Sequence, residues 1–265
     1  MSALRPDFKF SFSSLSTFET CPRAFYLQYV EHYPQEENAY SQYGTFCHSI
    51  LEGWAKDKLP SFVLASEYAA HFDEHVTKDF PPFPRGLWQK YYDQGLAYFQ
   101  TFDELRGLGD FEILSAEKKF SIKVGSYTIV GLADLIIKDK VTGDITVIDH
   151  KSKSSSSMDK DLDEYRRQLY IYAMYVHQEY GVWPKYLKFN LFRENKWVTE
   201  EFSEAALKDT EAWIINTIDA IFHETQWKPS VSSYFCRYIC GVFGGCPAQE
   251  EILHPPKKGK KNEQP

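Results

Sequence analysis

The chain reads as an α/β (α+β) fold, a central sheet flanked by helices with a helical N-terminal region, and three observations predict it. Residues 11–105 are patterned mainly at helical spacing. Residues 112–151 switch to strand-like runs separated by turn residues. Helical spacing then returns, interrupted once by a hairpin pattern. With 265 residues, 43% of them hydrophobic, the chain can bury a substantial core.

The elements follow in order. Ser11, Ser13 and Ser14 are capping types, and they open an aromatic-rich helix that is interrupted near Cys21-Pro22 and runs to about residue 31. Residues 44–57 carry His48, Leu51 and Ala55 at helical spacing. Ser61 is placed to cap a helix reaching about residue 78, and the Pro-rich stretch 80–84 predicts a loop. A further helix is expected from Trp88 to Leu105. Strands are expected at 112–124, 127–138 and 144–151, followed by a polar loop at 152–160. Leu162, Tyr165, Leu169, Tyr172 and Val176 then predict a helix stopped by Gly181. Residues 186–193 and 197–202 form a hairpin pattern, and a helix is expected over 204–224.

This gives one domain over residues 1–252, with a mainly helical part (10–110), a sheet and core (111–202), and a C-terminal helix with a cysteine cluster (203–252). Residues 253–265, rich in Lys and Pro, are expected to be a disordered tail. There is no apolar leader and no apolar run of membrane-spanning length, so the expectation is a cytoplasmic protein with no membrane partner. The net charge of −7 argues against a chain coated in basic residues, while leaving room for a local basic groove. In a reducing compartment, five cysteines favour metal ligation over a disulfide framework.

The turns set a strand register. If the Gly125-Ser126 turn pairs Val124 with Tyr127, Glu117 faces Asp134. If the next turn is centred between Val141 and Thr142, Asp134 faces Asp149. Side chains alternate, so Lys151 joins the face of Asp149. Like charges directly opposed destabilise a sheet. A hard divalent cation is the natural compensation, because Mg²⁺ takes oxygen ligands. A lone acid-x-Lys pair such as Asp149-His-Lys151 is more often a surface pair, but here apolar strands lead into both Asp134 and Asp149.

The ordered motifs are Ser11-Phe-Ser13, Cys21-Pro-Arg23, Gly44-Thr-Phe-Cys-His48, Gly131-Leu-Ala-Asp134, Asp149-His-Lys151 and Gln168-Leu-Tyr-Ile-Tyr172. Together they resemble a RecB-type nuclease of the PD-(D/E)xK superfamily, over about residues 10 to 250. The compact relatives are CRISPR-adaptation nucleases, phage exonucleases and the AddB nuclease domain. The resemblance implies a restriction-endonuclease-like core with a mixed sheet and a Mg²⁺- or Mn²⁺-dependent deoxyribonuclease. That enzyme would be an exonuclease on single strands or DNA ends, in recombination, DNA repair or phage DNA metabolism. It implies His48, Asp134, Asp149 and the main-chain carbonyl of His150 as metal ligands, with Glu117 as a further ligand or a partner of bound water. It implies that Lys151 activates or positions water, with Gln168 and Tyr172 in support. Two rival readings are a CRISPR-adaptation nuclease partnered with an integrase, and a non-catalytic DNA-binding or assembly subunit.

Cys236, Cys240 and Cys246 form a compact triplet in a Gly-rich segment, and Cys21 supplies a fourth thiol from the far end of the chain. By the resemblance these four hold a [4Fe–4S] cluster that staples the termini; Zn²⁺ is the alternative. Three residues separate Cys236 from Cys240 where relatives commonly have two. Lys119, Lys153, Arg166 and Arg167 flank the carboxylates and are the candidate DNA contacts.

Overall fold

The computed structural model describes residues 4–5, 7–78, 86–102, 108–230 and 233–254. The expected loop at 80–84 and the tail beyond His254 lie outside them. Helix α1 (Phe12–Thr20) starts at Ser11, whose side chain accepts from the Ser14 amide while Ser14 returns the bond to the Ser11 amide. The predicted break falls at Cys21; α2 (Pro22–Phe25) then runs into a π-helical turn, Tyr26–Val30. Helix α3 (Ala39–Ala55) begins five residues earlier than its predicted start because Asn38 caps it through Tyr40 and Ser41. Ser61 opens a short 3-10 turn, and α4 (Leu64–His75) follows; α5 covers Leu87–Gln100, and residues 103–107, where its predicted end falls, lie outside the description.

Strands β1 (Phe111–Val124), β2 (Tyr127–Asp139), β3 (Ile145–Lys151), β4 (Tyr186–Leu191) and β5 (Lys196–Glu201) form one sheet in that order. All neighbours are antiparallel except β3 and β4, which run parallel and are joined by α6 (Ser155–Tyr180), so the sheet is mixed. Val124 pairs with Tyr127 and Ala116 with Leu135, bracketing Glu117 opposite Asp134 as the turn had predicted. Leu135 pairs with Ile148, the register in which Asp134 comes opposite Asp149, as the next turn predicts. The polar stretch 152–160 is not a loop throughout. Ser154 caps α6 by accepting from the Ser157 amide, so its serines begin a helix. Gly181 ends that helix at φ +74°.

One face of the sheet is covered by α1, α6 and α7 (Glu204–His223), through Leu15, Leu169, Ala173, Ile214 and Ile218. Fully burying one such aliphatic side chain stabilises by roughly 1.5–3 kcal/mol. A second core joins α3, α4 and α5 through Tyr43, Phe46, Tyr68 and Phe99. Gly131, three residues before Asp134, is required by packing: a Cβ there would meet the Phe120 ring at 2.4 Å. Short helices α8 (Ser233–Tyr238) and α9 (Gln249–Leu253) complete the C-terminal segment, so Leu253, expected in the tail, is helical.

Candidate metal centre

The centre forms where α3 and α6 meet β1, β2 and β3. His48 comes from α3, Glu117 from β1, Asp134 from β2 and Asp149, His150 and Lys151 from β3. Potential ligand atoms of His48, Glu117 and Asp134 lie within 4.8 Å of one another. His48 Nδ1 is 3.3 Å from Glu117 Oε1 and 3.7 Å from Asp134 Oδ2. Its Nε2 lies 2.9 Å from the His150 carbonyl. The His150 amide donates to Asp134 Oδ2 at 2.7 Å, so both main-chain groups of His150 serve the centre. Glu117 has φ +46°, a left-handed conformation unusual for a non-glycine residue inside a strand, and strain of this kind concentrates at functional sites.

Asp149 is not part of this tight group. It is 1% exposed, and Lys151 Nζ lies 2.7 Å from its Oδ2. That contact is an ion pair without well-directed hydrogen-bond geometry, and neither Asp149 oxygen has a hydrogen-bond donor among the described residues. Lys151 Nζ donates to Gln168 Oε1 at 2.7 Å, and Gln168 Nε2 donates to the Tyr172 hydroxyl at 2.7 Å. Gln168 and Tyr172, one helical turn apart on α6, therefore form a relay that holds the ammonium.

Burial pushes the Asp134 carboxyl up to about 7, with the charge of Asp149 adding to it and His48 and Lys151 opposing. Burial resists charging His48, yet its contact with Glu117 and the charges of Asp134, Glu117 and Asp149 prevail and raise its pKa. A doubly protonated ring satisfies both sides at once: Nε2–H faces the His150 carbonyl and Nδ1–H faces the carboxylates. Burial, followed by the charges of His48 and Lys151, keeps His150 neutral. Its Nδ1 therefore accepts from Asn190 Nδ2 at 3.0 Å, and the same amide donates to Tyr98 Oη at 2.7 Å. Burial and the nearby Asp134 and Asp149 hold the Tyr172 hydroxyl neutral.

The expected basic residues divide. Lys153 lies over the Tyr165 ring at 4.2 Å and pairs with Asp161 at 2.8 Å. Arg166 is committed to Glu200 and Asp163, at 2.7 and 2.8 Å, and Arg167 pairs with Glu19 at 3.0 Å. Lys119 is exposed on β1. The Asn190–Tyr98 support for His150 was missed from sequence. The available signal was a polar residue inside the apolar run Leu187-Lys-Phe-Asn-Leu-Phe192.

At the second group of candidate ligands, Cys21, Cys236, Cys240 and Cys246 line one small apolar pocket with Leu27, Phe235 and Val242. The Ser230 amide donates to Cys21 Sγ at 3.3 Å, and the Val242 and Ala248 amides point at Cys240 and Cys246. Burial pushes the Cys240 thiol up to about 11 and raises Cys246. Cys47, outside this group, is fully buried in the α3–α5 core.

A sequence model of the PD-(D/E)XK nuclease superfamily matches residues 9–247, and the chain belongs to that superfamily. None of the curated proteins matches the sequence. Among solved structures, a protein from Eubacterium rectale provisionally named an exonuclease is similar over 94% of this chain and 93% of its own. The TM-score is 0.50 and the identity 10%, a likeness of fold alone. The protein SSO0001 aligns over 93% of this chain and 89% of its own, at 18% identity and a TM-score of 0.41. Among the described residues, no helix is long and apolar enough to cross a membrane.

Proposed function

We propose that this protein is a metal-dependent deoxyribonuclease, an exonuclease acting on single strands or DNA ends in recombination, repair or phage DNA metabolism. One observation carries the reading. The clustered ligand atoms of His48, Glu117 and Asp134 stand beside the buried Asp149–Lys151 pair, inside the segment that a nuclease-superfamily model matches.

The donor set fits a hard divalent cation. It offers carboxylates, one imidazole and a main-chain carbonyl, and the buried Asp149 oxygens have no hydrogen-bond donor among the described residues. His48, Asp134, Asp149 and the His150 carbonyl would hold Mg²⁺ or Mn²⁺, with Glu117 as a further ligand. When bound, the ion supplies Lewis-acid polarisation of the phosphodiester and eases deprotonation of water. Lys151, paired with Asp149 and aimed by Gln168, orients the attacking water and stabilises charge developing on the phosphate. Tyr172 fixes the Gln168 amide, leaving the Gln168 oxygen for the ammonium. Lys119, Lys153, Arg166 and Arg167 would contact phosphates, Lys153 from the position nearest in sequence to Lys151.

The cysteine pocket fits a [4Fe–4S] cluster within a single nuclease domain spanning residues 1–252. The amide directed at Cys21 Sγ, with those at Cys240 and Cys246, suits thiolates bound to a metal group, and Zn²⁺ is the alternative occupant.

The test is digestion of end-labelled single- and double-stranded DNA with Mg²⁺ or Mn²⁺, with and without chelator. Cation-dependent loss of single nucleotides from the ends supports the reading. DNA binding without cleavage would instead favour a non-catalytic subunit. Stimulated trimming only with an integrase would favour the CRISPR-adaptation role.

A further inference from the structure

β4 leaves the sheet through Asn190-Leu-Phe192, and Asn190 and Phe192 each contact an imidazole of the centre. Side chains alternate along β3, so the His150 ring lies on the face opposite Asp149 and Lys151. Its main chain is committed on both sides, the amide to Asp134 Oδ2 and the carbonyl to His48 Nε2. The ring is what remains to fix those two peptide planes. His150 pairs in register with Asn190 on the parallel neighbour, so their side chains share a face. Asn190, 1% exposed, donates through Nδ2 to the His150 ring at 3.0 Å and to Tyr98 Oη of α5 at 2.7 Å. Two residues on, the fully buried Phe192 ring meets the His48 ring at an angle of 82°, with centroids 6.2 Å apart. It also packs on Tyr43 at 5.9 Å and Tyr98 at 6.0 Å, in the core of α3, α4 and α5. The rings of His48 and His150 themselves stand 5.7 Å apart at 80°.

We propose that Asn190 and Phe192 are positioning residues of the cation site: Asn190 fixes the His150 peptide planes, and Phe192 fixes the His48 ring. Together they hold a ligand from the helical layer in register with a ligand from the sheet. The proposal rests on the reading of this centre as a cation site and adds two residues that act only through its ligands. Ligands left free to swing weaken binding, because ordering them offsets part of the interaction energy. His48 comes from α3 and the His150 carbonyl from β3, so their relative placement depends on what packs between the two layers. The β4 exit contacts both imidazoles and, through Tyr98, the helix α5 that shares a core with α3. Packing alone would not select an amide at position 190, since its neighbours Phe189 and Leu191 are buried and apolar. A buried amide is costly unless its hydrogen bonds are made, and here they are made to His150 and Tyr98.

The test titrates the wild type and variants with Mn²⁺ by calorimetry, without DNA and at a temperature where circular dichroism shows each folded. Asn190→Leu keeps the branched shape and removes the amide; Phe192→Leu keeps an apolar side chain and removes the ring. Each should weaken Mn²⁺ binding about 10- to 100-fold. Cleavage of end-labelled DNA should then need correspondingly more Mn²⁺, while the rate at saturating Mn²⁺ stays near that of the wild type. Leu187→Ala, on the same strand but buried in the other core, should lower the melting temperature and leave Mn²⁺ affinity unchanged. That control separates positioning from general loosening. Wild-type Mn²⁺ affinity in the Asn190 and Phe192 variants would overturn the proposal, as would an equal loss in Leu187→Ala. The two readings fail separately. If the wild type binds Mn²⁺ without cutting DNA, the nuclease reading fails and the affinities still decide the positioning. If it cuts while Asn190→Leu and Phe192→Leu bind Mn²⁺ normally, the positioning alone fails. A wild type that binds no Mn²⁺ would overturn both.

Discussion

Divalent-cation affinity should fall as the pH drops below neutrality, and the proton on Asp134 sets most of the slope. Its carboxyl titrates at about 7 because it is buried and faces Asp149. Only the ionised form can ligate a cation, so each pH unit below 7 costs about 1.4 kcal/mol, or tenfold in affinity. Between pH 8 and 5.5 Asp134 alone predicts a loss of about 2 kcal/mol, roughly thirtyfold. His48, whose pKa is also raised, must shed a proton to ligate, so the slope should lie between one and two. The same groups fix the sign for the metal-free fold. A carboxyl raised from 3.8 to about 7 favours the neutral form, so its contribution to stability declines as pH rises through that window. The His48 contribution is present in full below about 6.5 and is lost as pH rises through its raised folded value. At about 2–4 °C per kcal/mol, Asp134 should lower the metal-free Tm by roughly 4–8 °C between pH 5.5 and 8. Mn²⁺ should recover the loss, and Asp134→Asn should flatten the profile. Calorimetric titration with Mn²⁺ and melting curves with and without it, across this range, provide the measurement. A pH-independent Mn²⁺ affinity would refute the argument, as would an Asp134→Asn profile as steep as the wild type's.

Asp149→Ala and Lys151→Ala should each abolish Mn²⁺-dependent DNA hydrolysis, a loss of about 10²-fold or more, while circular dichroism shows a retained fold; near-normal cutting by either would remove it from the centre. Gln168→Leu should slow cleavage with little change in Mn²⁺ affinity, because it frees Lys151 without touching the ligand group; an equal effect on both would place Gln168 at the cation instead. Purified protein should be brown with roughly four iron atoms per chain, and Cys21→Ala should bleach it while Asp149→Ala keeps the colour. Colourless protein carrying one zinc would replace the iron cluster with the alternative.

Much of the centre was legible because it lies in regular strands joined by short turns. The Gly125-Ser126 turn fixed the facing of Glu117 and Asp134, and the turn near Thr142 brought β3 into step with β2. Alternation then put Lys151 beside Asp149. What escaped depended on ambiguous local chemistry or on contacts between distant segments. Serine favours caps and loops alike, so residues 152–160 read as a loop until Ser154 is seen opening α6. The closer grouping of Glu117 than of Asp149 with His48 depends on the turned backbone at Glu117, which no pattern of residues announces. The ion pairs of Arg166 and Arg167 with Glu200 and Glu19 join residues far apart in sequence, so flanking position alone could not announce them.

The same long-range packing gives the cysteine segment a route to the centre. The Gly241 carbonyl accepts the Glu36 amide at 2.7 Å, and the Ile239 carbonyl accepts Asn38 Nδ2 at 3.4 Å. The approach is close: a Cβ on Gly241 would lie 2.9 Å from the Glu36 carbonyl oxygen. Asn38 is the residue that caps α3, and α3 carries His48. The loop between Cys240 and Cys246 therefore rests on the entry to the helix that delivers one ligand, while Cys21 anchors the chain between α1 and α2. A cluster binding all four thiols would fix both supports at once. Its loss would act through the aim of His48, raising the Mn²⁺ concentration needed for cleavage more than it lowers the rate at saturation. Hydrolysis itself asks nothing of an electron carrier, so the contribution of such a cluster would be the geometry it imposes on these two ends of the chain.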